Sequence, residues 1–231
     1  MKKYKAILFD ADETLLDFKE SERHAFYQTA AHWNVRCDER LLQQYSKSNK
    51  EAWLMFERGE ISKDRLTIYR FERFFEREGL KFDPSKWNEY YKKRLGDTGF
   101  LLKGAKEIIE FARNHFEIFI VTNGISSVQH NRLKKAGITD EFSRIFISEE
   151  LGSQKPCKEY FEAVFQDISY SKDEVLLIGD SLTSDIAGGI GYGIDTCFIN
   201  WDHIDADKQP TYIVHDLAGV MSLLKEIANC D

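Results

Sequence analysis

The sequence predicts an α/β fold: a Rossmann-like, doubly wound parallel sheet with an α-helical cap domain inserted after the first strand. Three observations carry this reading. From Gly96 onward, short apolar runs alternate with helical periods, which is the grammar of βαβ units and a parallel sheet. A first apolar run at 4–9 stands alone before a long helical stretch, so its pairing partners must come from the later runs. Between them, residues 17–95 have no Gly before Gly59 and no Pro before Pro84, and are dense in Phe, Tyr, Trp, Glu, Lys and Arg, which reads as helix.

Taken in order, the strand at 4–9 ends at Asp10. In the helical stretch Gly59 breaks the pattern, and Ser62 is the predicted N-cap of a helix running through Tyr69 and Phe74. A second break falls at 79–84. The chain enters the stretch near 16–19 and leaves it near 95–103, where Gly96 and Gly99 are expected to supply backbone freedom. Two crossings of one hinge make a lid geometry. The expected division is a core of residues 1–16 and 101–231 around a cap of residues 17–100. Further strands are expected at 116–121, 145–147, 175–178, 196–199 and 212–214. There is no internal repeat and no low-complexity segment.

Composition narrows the function. At 231 residues, 42% apolar and 31% charged, the chain is an ordinary globular protein with room for one core and a smaller module. A net charge of −7 disfavours a nucleic-acid polymer as partner, because such binding rests on clustered Lys and Arg. Cys37, Cys157, Cys197 and Cys230 form no C-x-x-C pair, so reduced structural thiols are expected rather than a zinc or redox site. The start Met1-Lys2-Lys3 is basic, but Asp10 interrupts the apolar residues that follow, and no later stretch has the length of a membrane span. A cytoplasmic protein with no membrane partner is expected. Nothing in the sequence specifies an oligomeric state.

The chemistry gathers at strand ends. Asp10-Ala11-Asp12-Glu13-Thr14 follows the first strand, and side chains two apart on extended backbone point the same way, so both acids project into one volume at the carboxyl edge of the sheet. Like charges this close repel unless a cation offsets them. Thr122-Asn123-Gly124 follows 116–121, offering a hydroxyl and a run of backbone N–H groups where a helix is expected to begin, an anion cradle. Lys155-Pro156 brings one cation to the same edge, and Gly179-Asp180-Ser181-Leu182-Thr183-Ser184-Asp185 brings two more carboxylates. Taken singly, each is an ordinary turn or surface motif. It is the order of all four that is informative.

In that order and context the set resembles the haloacid dehalogenase superfamily of phosphotransferases, with the helical insertion similar to that family's cap of the first type. The resemblance implies that Asp10 attacks phosphorus and forms an aspartyl-phosphate, and that Asp12 protonates the leaving oxygen and then deprotonates the attacking water. It implies Mg²⁺ held by an Asp10 oxygen, the Asp12 backbone carbonyl and Asp180, with Asp185 orienting a bound water. Lys155 would offset the crowded negative charge, and Thr122 with nearby N–H groups, Asn123 and Gly124 among them, would bind phosphate oxygens. Asp12 argues against dehalogenation, since members with that reaction lack an acid there; a phosphomutase remains compatible.

Specificity is expected from the cap. The segment Ser48-Asn49-Lys50-Glu51-Ala52-Trp53 and the pair Arg70-Phe71 resemble the pyrimidine 5′-nucleotidase subfamily, which implies a nucleoside monophosphate substrate, with Trp53 stacking on a base, Asn49 reading its amide edge and Lys50 near the ribose or phosphate. Phe71, Phe74, Trp87 and Tyr91 read by their spacing as the cap's own core. A sugar-phosphate or broad-specificity phosphatase shares the same catalytic set. A phospho-accepting switch is the reading from another class, and Asp12 disfavours it, because an acid/base beside the nucleophile hastens loss of the phosphoryl group. The six histidines are dispersed and none is assigned to metal; His203 alone lies where it could approach the site edge.

Overall fold

The computed structural model describes residues 4–205 and 209–229, so the basic start Met1-Lys2-Lys3 and Cys230 lie outside the described residues. Strand β1 (Ala6–Phe9) is followed by four helices: α1 (Phe18–His32), α2 (Glu39–Glu57), α3 (Lys63–Glu78) and α4 (Pro84–Gly96). Then come α5 (Ala105–His115), β2 (Glu117–Thr122), α6 (Ser126–Ala136), β3 (Arg144–Ile147), the single turn α7 (Ser148–Leu151) and α8 (Lys158–Asp167). The chain ends with β4 (Val175–Gly179), α9 (Ala187–Tyr192), β5 (Asp195–Ile199), β6 (Tyr212–Val214) and α10 (Leu217–Ala228).

All six strands are parallel, in the order β3-β2-β1-β4-β5-β6. The order reverses at β1, where β2 pairs on one side and β4 on the other, and such a switch point opens a crevice at the carboxyl ends of the strands. Strand residues alternate between two buried layers. Ile7, Phe9, Ile118, Ile120, Leu176 and Ile178 pack with α5 and α10, while Ala6, Leu8, Phe119, Val121, Val175 and Leu177 pack with α8. A sheet covered on both faces has no solvated side, which is why its strands read as unbroken apolar runs.

The four inserted helices have a core of their own, built from Phe26, Tyr45, Phe71, Phe74, Trp87 and Tyr91 among others. Side-chain caps start all four: Asp17, Asp38, Ser62 and Asp83 each accept a backbone N–H of the first turn. Val128 of α6 joins this cluster, so the module rests partly on a helix of the sheet domain.

The two crossings run side by side. Leu16 pairs antiparallel with Leu101, the Leu102 N–H donates to the Leu15 carbonyl at 2.9 Å, and the Asp17 N–H donates to the Phe100 carbonyl at 3.0 Å. The expectation that Gly96 and Gly99 supply backbone freedom needs correction. Gly96 closes the last turn of α4, and neither residue has a positive φ. Gly99 is there for close approach: a Cβ on it would lie 2.5 Å from the Ala136 nitrogen, at the end of α6. No helix among the described residues is long and apolar enough to cross a membrane.

Candidate active site

Because the strands are parallel, the residues following β1, β2, β3 and β4 all emerge at one edge. Asp10 follows Phe9, Thr122 ends β2, and Asp180 follows Gly179. Asp185 comes back to the same place from the π-helical turn Leu182–Ile186. Lys155, in the loop after α7, is 1% exposed and lies within the cluster: its Nζ donates to Asp10 Oδ1 at 2.6 Å, to Asp185 Oδ1 at 2.7 Å and to the Val121 carbonyl at 2.7 Å. A lysine this deeply buried is retained only where its donors are all met, as they are here.

Asn123 explains how Lys155 arrives. Its amide donates to the Lys155 carbonyl at 2.8 Å and accepts from the Lys155 N–H at 2.9 Å, so the end of β2 grips the backbone of the lysine loop. The side chain is thus engaged with the lysine loop, and the expectation for Asn123 rests, as before, on its main-chain N–H. Two other expectations change. The Gly124 N–H is directed to Thr122 Oγ1 at 3.1 Å, so it is not free for an anion, and the start of α6 is closed by Glu149, whose carboxylate accepts the Ser126 N–H at 2.7 Å. The anion cradle reduces to Thr122 and its immediate backbone. Thr122 Oγ1 accepts from both Gly124 and Gln129, which leaves its own O–H free to donate into the cavity.

The negative charge is concentrated. Asp10, Asp180 and Asp185 each present an oxygen within 4.8 Å of the others, against one lysine. Burial pushes the Asp10 carboxyl up to about 7; the Lys155 ammonium pulls against this, and Asp185 adds to the rise. Burial, reinforced by Asp10 and Asp185, holds Asp180 well above the ordinary carboxylate range. Lys155 sits above its ordinary value, since the pull of Asp10 and Asp185 outweighs the burial that opposes its charge. Among the described residues the Asp180 carboxylate accepts no hydrogen bond. Three hard oxygens in one buried cluster, one of them without a donor, fit a divalent cation. Asp12 stands apart from that group: its carboxylate is 30% exposed and pairs with Arg132 of α6, while Gln129 Nε2 donates to its Oδ2 at 3.0 Å.

These residues line a cavity of ≈ 1030 Å³ between the sheet edge and the inserted helices. Asn49, Lys50 and Trp53 of α2 all line it, as do Phe18 and Glu22 of α1 and Trp201 beyond β5. Asn49 is tied into the module, with its Oδ1 accepting from Arg70 at 3.0 Å and its Nδ2 donating to Glu22 at 2.9 Å. One N–H and one lone pair of the amide remain. Lys50 is exposed, and half-buried Trp53 stands edge-on to Phe56 with the Lys63 ammonium 5.7 Å from its ring centre. His203 does not line this cavity; its ring stacks on His215 instead.

Several participants escape a reading by motif. Lys63 crosses from the module to donate to Asn123, Gly124 and Ser148. Glu22 is a buried carboxylate facing the cavity, and burial raises its pKa although Ser46, Arg70 and Asn49 oppose the rise. Gln129 and Arg132 are each 1% exposed. The one sequence signal for that pair is position, since they share the buried stripe of α6 with Val128 and Leu133.

A model of the haloacid dehalogenase-like hydrolases matches residues 4–193. The HAD-hydrolase YfnB of Bacillus subtilis is 36% identical over 227 residues, 97% of either chain. Pyrimidine 5′-nucleotidase PynA of Streptococcus pneumoniae is 36% identical over 225 residues, 96% of this chain and 95% of its own. Pyrimidine 5′-nucleotidase YjjG of Escherichia coli is 34% identical over 225 residues, 96% of this chain and 98% of its own. A crystal structure of Bacillus subtilis YfnB bound to magnesium matches with a TM-score of 0.91, covering 96% of this chain and 99% of that one.

Proposed function

From the premise that the chain belongs to the haloacid dehalogenase-like hydrolases and is a phosphatase of that family, we propose that it is a Mg²⁺-dependent 5′-nucleotidase, hydrolysing nucleoside 5′-monophosphates with a preference for pyrimidines. The observation that carries this is the joining of Asp10, Asp12 and Lys155 in one cavity with the aromatic and polar wall of α1 and α2. That cavity has room for an ester larger than a bare phosphate. The likeness of the whole chain to two pyrimidine 5′-nucleotidases supports the choice of ester.

In this reading Asp10 is the nucleophile. Lys155 fixes its Oδ1, and Oδ2 accepts no hydrogen bond among the described residues. Attack on phosphorus forms an Asp10 acyl phosphate and breaks the bond to the ribose oxygen, which takes its proton from Asp12. Asp12 then removes a proton from water as the acyl phosphate is cleaved, and so returns to its starting form. The Thr122 hydroxyl and the Asn123 N–H hold phosphoryl oxygens, while Lys155 keeps the carboxylates from repelling the incoming phosphate. Asp10, the Asp12 carbonyl and Asp180 would hold Mg²⁺, with Asp185 placed behind them; the ion, when bound, neutralises phosphoryl charge.

Trp53 offers a ring to a base, and Asn49 its remaining amide hydrogen. We place the limits of the cap at residues 17–100. A cytoplasmic setting accords with Cys37, Cys157 and Cys197, all free thiols. The test is phosphate release from UMP, dUMP, dTMP, purine monophosphates and sugar phosphates, each with Mg²⁺ and with chelator. Preference for pyrimidine nucleotides is expected. Release led by sugar phosphates would overturn the substrate, and release from none would overturn the function.

A further inference from the structure

Two buried polar side chains on α6 reach Asp12 and Thr122 without joining the carboxylate cluster of Asp10, Asp180 and Asp185. Arg132 pairs through Nη1 with Asp12 Oδ1 and donates through the same nitrogen to Gln129 Oε1 at 3.0 Å, while Nη2 reaches the Ser21 hydroxyl at 3.2 Å. Of the two ends of an amide only the oxygen can accept from a guanidinium, so Arg132 dictates which way the Gln129 amide faces. With Oε1 toward Arg132, Nε2 has one hydrogen for Asp12 Oδ2 and one for Thr122 Oγ1, each at 3.0 Å. Both carboxylate oxygens of Asp12 are thereby held from one side.

Stability alone does not account for this arrangement. A buried guanidinium is costly to desolvate, and among the described residues Arg132 Nε is buried without a hydrogen-bond acceptor. The backbone also makes room for the pair, since a Cβ at Gly124 would lie 2.4 Å from Gln129 Cγ. Such a clamp suits a group that must deliver a proton to one oxygen and later take one from a water arriving at the same point, because proton transfer demands a fixed aim. Each Asp12 oxygen keeps a second lone pair for the travelling proton.

We propose that Gln129 and Arg132 are positioning residues that aim the Asp12 carboxyl at the ester oxygen; this rests on the reading of Asp12 as the proton-transfer group. Esters with good and poor leaving groups separate aim from mere scaffolding. A p-nitrophenolate leaves without help, whereas a ribose oxygen needs its proton. Gln129→Met and Arg132→Lys should lower turnover of UMP about 10-fold or more. With p-nitrophenyl phosphate the same variants should release the first equivalent of p-nitrophenolate, in a pre-steady-state burst, within about two-fold of the wild-type rate.

Melting temperatures identify a variant that fails to fold, and the second variant then decides. Equal losses in the two assays, or none in either, in a folded variant would overturn the proposal. Asp12→Asn run beside them distinguishes the levels: if it too hits both esters equally, the reading of Asp12 has failed. If it spares the burst while the α6 variants do not, only the positioning role has failed.

Discussion

The Lys63 ammonium, on the first turn of α3, donates to the Ser148 hydroxyl at 2.6 Å and so fastens the inserted helices to the residue that follows β3. The same amine reaches the Asn123 and Gly124 carbonyls and lies 4.9 Å from the centre of the Phe56 ring. Burial pushes Lys63 down to about 8, with Glu149 opposing the fall and Lys155 adding to it. An unfolded lysine keeps its proton up to about 10.5. Between those two values the folded chain binds fewer protons than the unfolded one, so this group makes folding more favourable as pH rises through the window. Thermal melts of wild type and Lys63→Met from about pH 7 to about pH 10 should show the difference moving in favour of wild type. A difference that is flat with pH would mean the amine is solvated.

Asp10→Asn should lower turnover of any phosphomonoester by at least about 1000-fold, because an amide cannot form the acyl phosphate. Its melting point in chelator should equal or exceed that of wild type, since one of three mutually repelling carboxylates has been neutralised. Mg²⁺ should raise the wild-type melting point and raise that of Asp180→Asn less. An equal rise in both would remove Asp180 from the metal site.

Lys155→Met leaves Asp10 and Asp185 buried without their shared cation. Unfolding in urea, with chelator present, should show a loss of about 3–5 kcal/mol. Added Mg²⁺ should recover part of it. A loss below about 1 kcal/mol would mean that the two carboxylates find other partners or take up protons at little cost.

Trp53→Ala should reduce kcat/KM for nucleoside monophosphates about 10-fold, the scale of one lost base stack, and leave small sugar phosphates within about two-fold. Equal effects on the two substrate classes would return Trp53 to a packing role beside Phe56.

Gly99→Ala would drive a methyl into the backbone at the end of α6, where neither partner can turn aside. A destabilisation of about 1–3 kcal/mol is expected in urea titrations. A neutral result would mean that the crossing segment shifts as a unit.

The sheet was legible in the sequence because β1, β4 and nearly all of β2 and β5 are buried on both faces; the run at 212–214 coincides with the more exposed edge strand β6, and the others differ from their strands by no more than two residues at either end. Ser62 likewise caps α3 as expected, because capping depends on residues close in the chain. The strand-end residues were legible for a related reason. In a parallel sheet, following a strand is enough to place Asp10, Thr122 and Asp180 on one edge. Gln129 and Arg132 lie 117 and 120 positions from the Asp12 they hold, and no local pattern records a contact of that span. The role of the Asn123 amide was invisible for the same reason, since its partner is the backbone of Lys155, in a loop beyond β3. The role expected for Gly99 was wrong in kind, because a glycine kept for close approach looks in sequence like one kept for freedom.

The antiparallel pairing of Leu16 with Leu101 brings the two ends of an 84-residue excursion to within the width of one strand pair, about 5 Å between α-carbons. Seen from the sheet, the whole helical module leaves and returns at one point. A tight turn could replace it without moving β1 or α5, leaving the carboxylate edge open to water. The same junction would accept a different set of helices, so one hydrolytic edge can be paired with successive lids, each shaped to another leaving group.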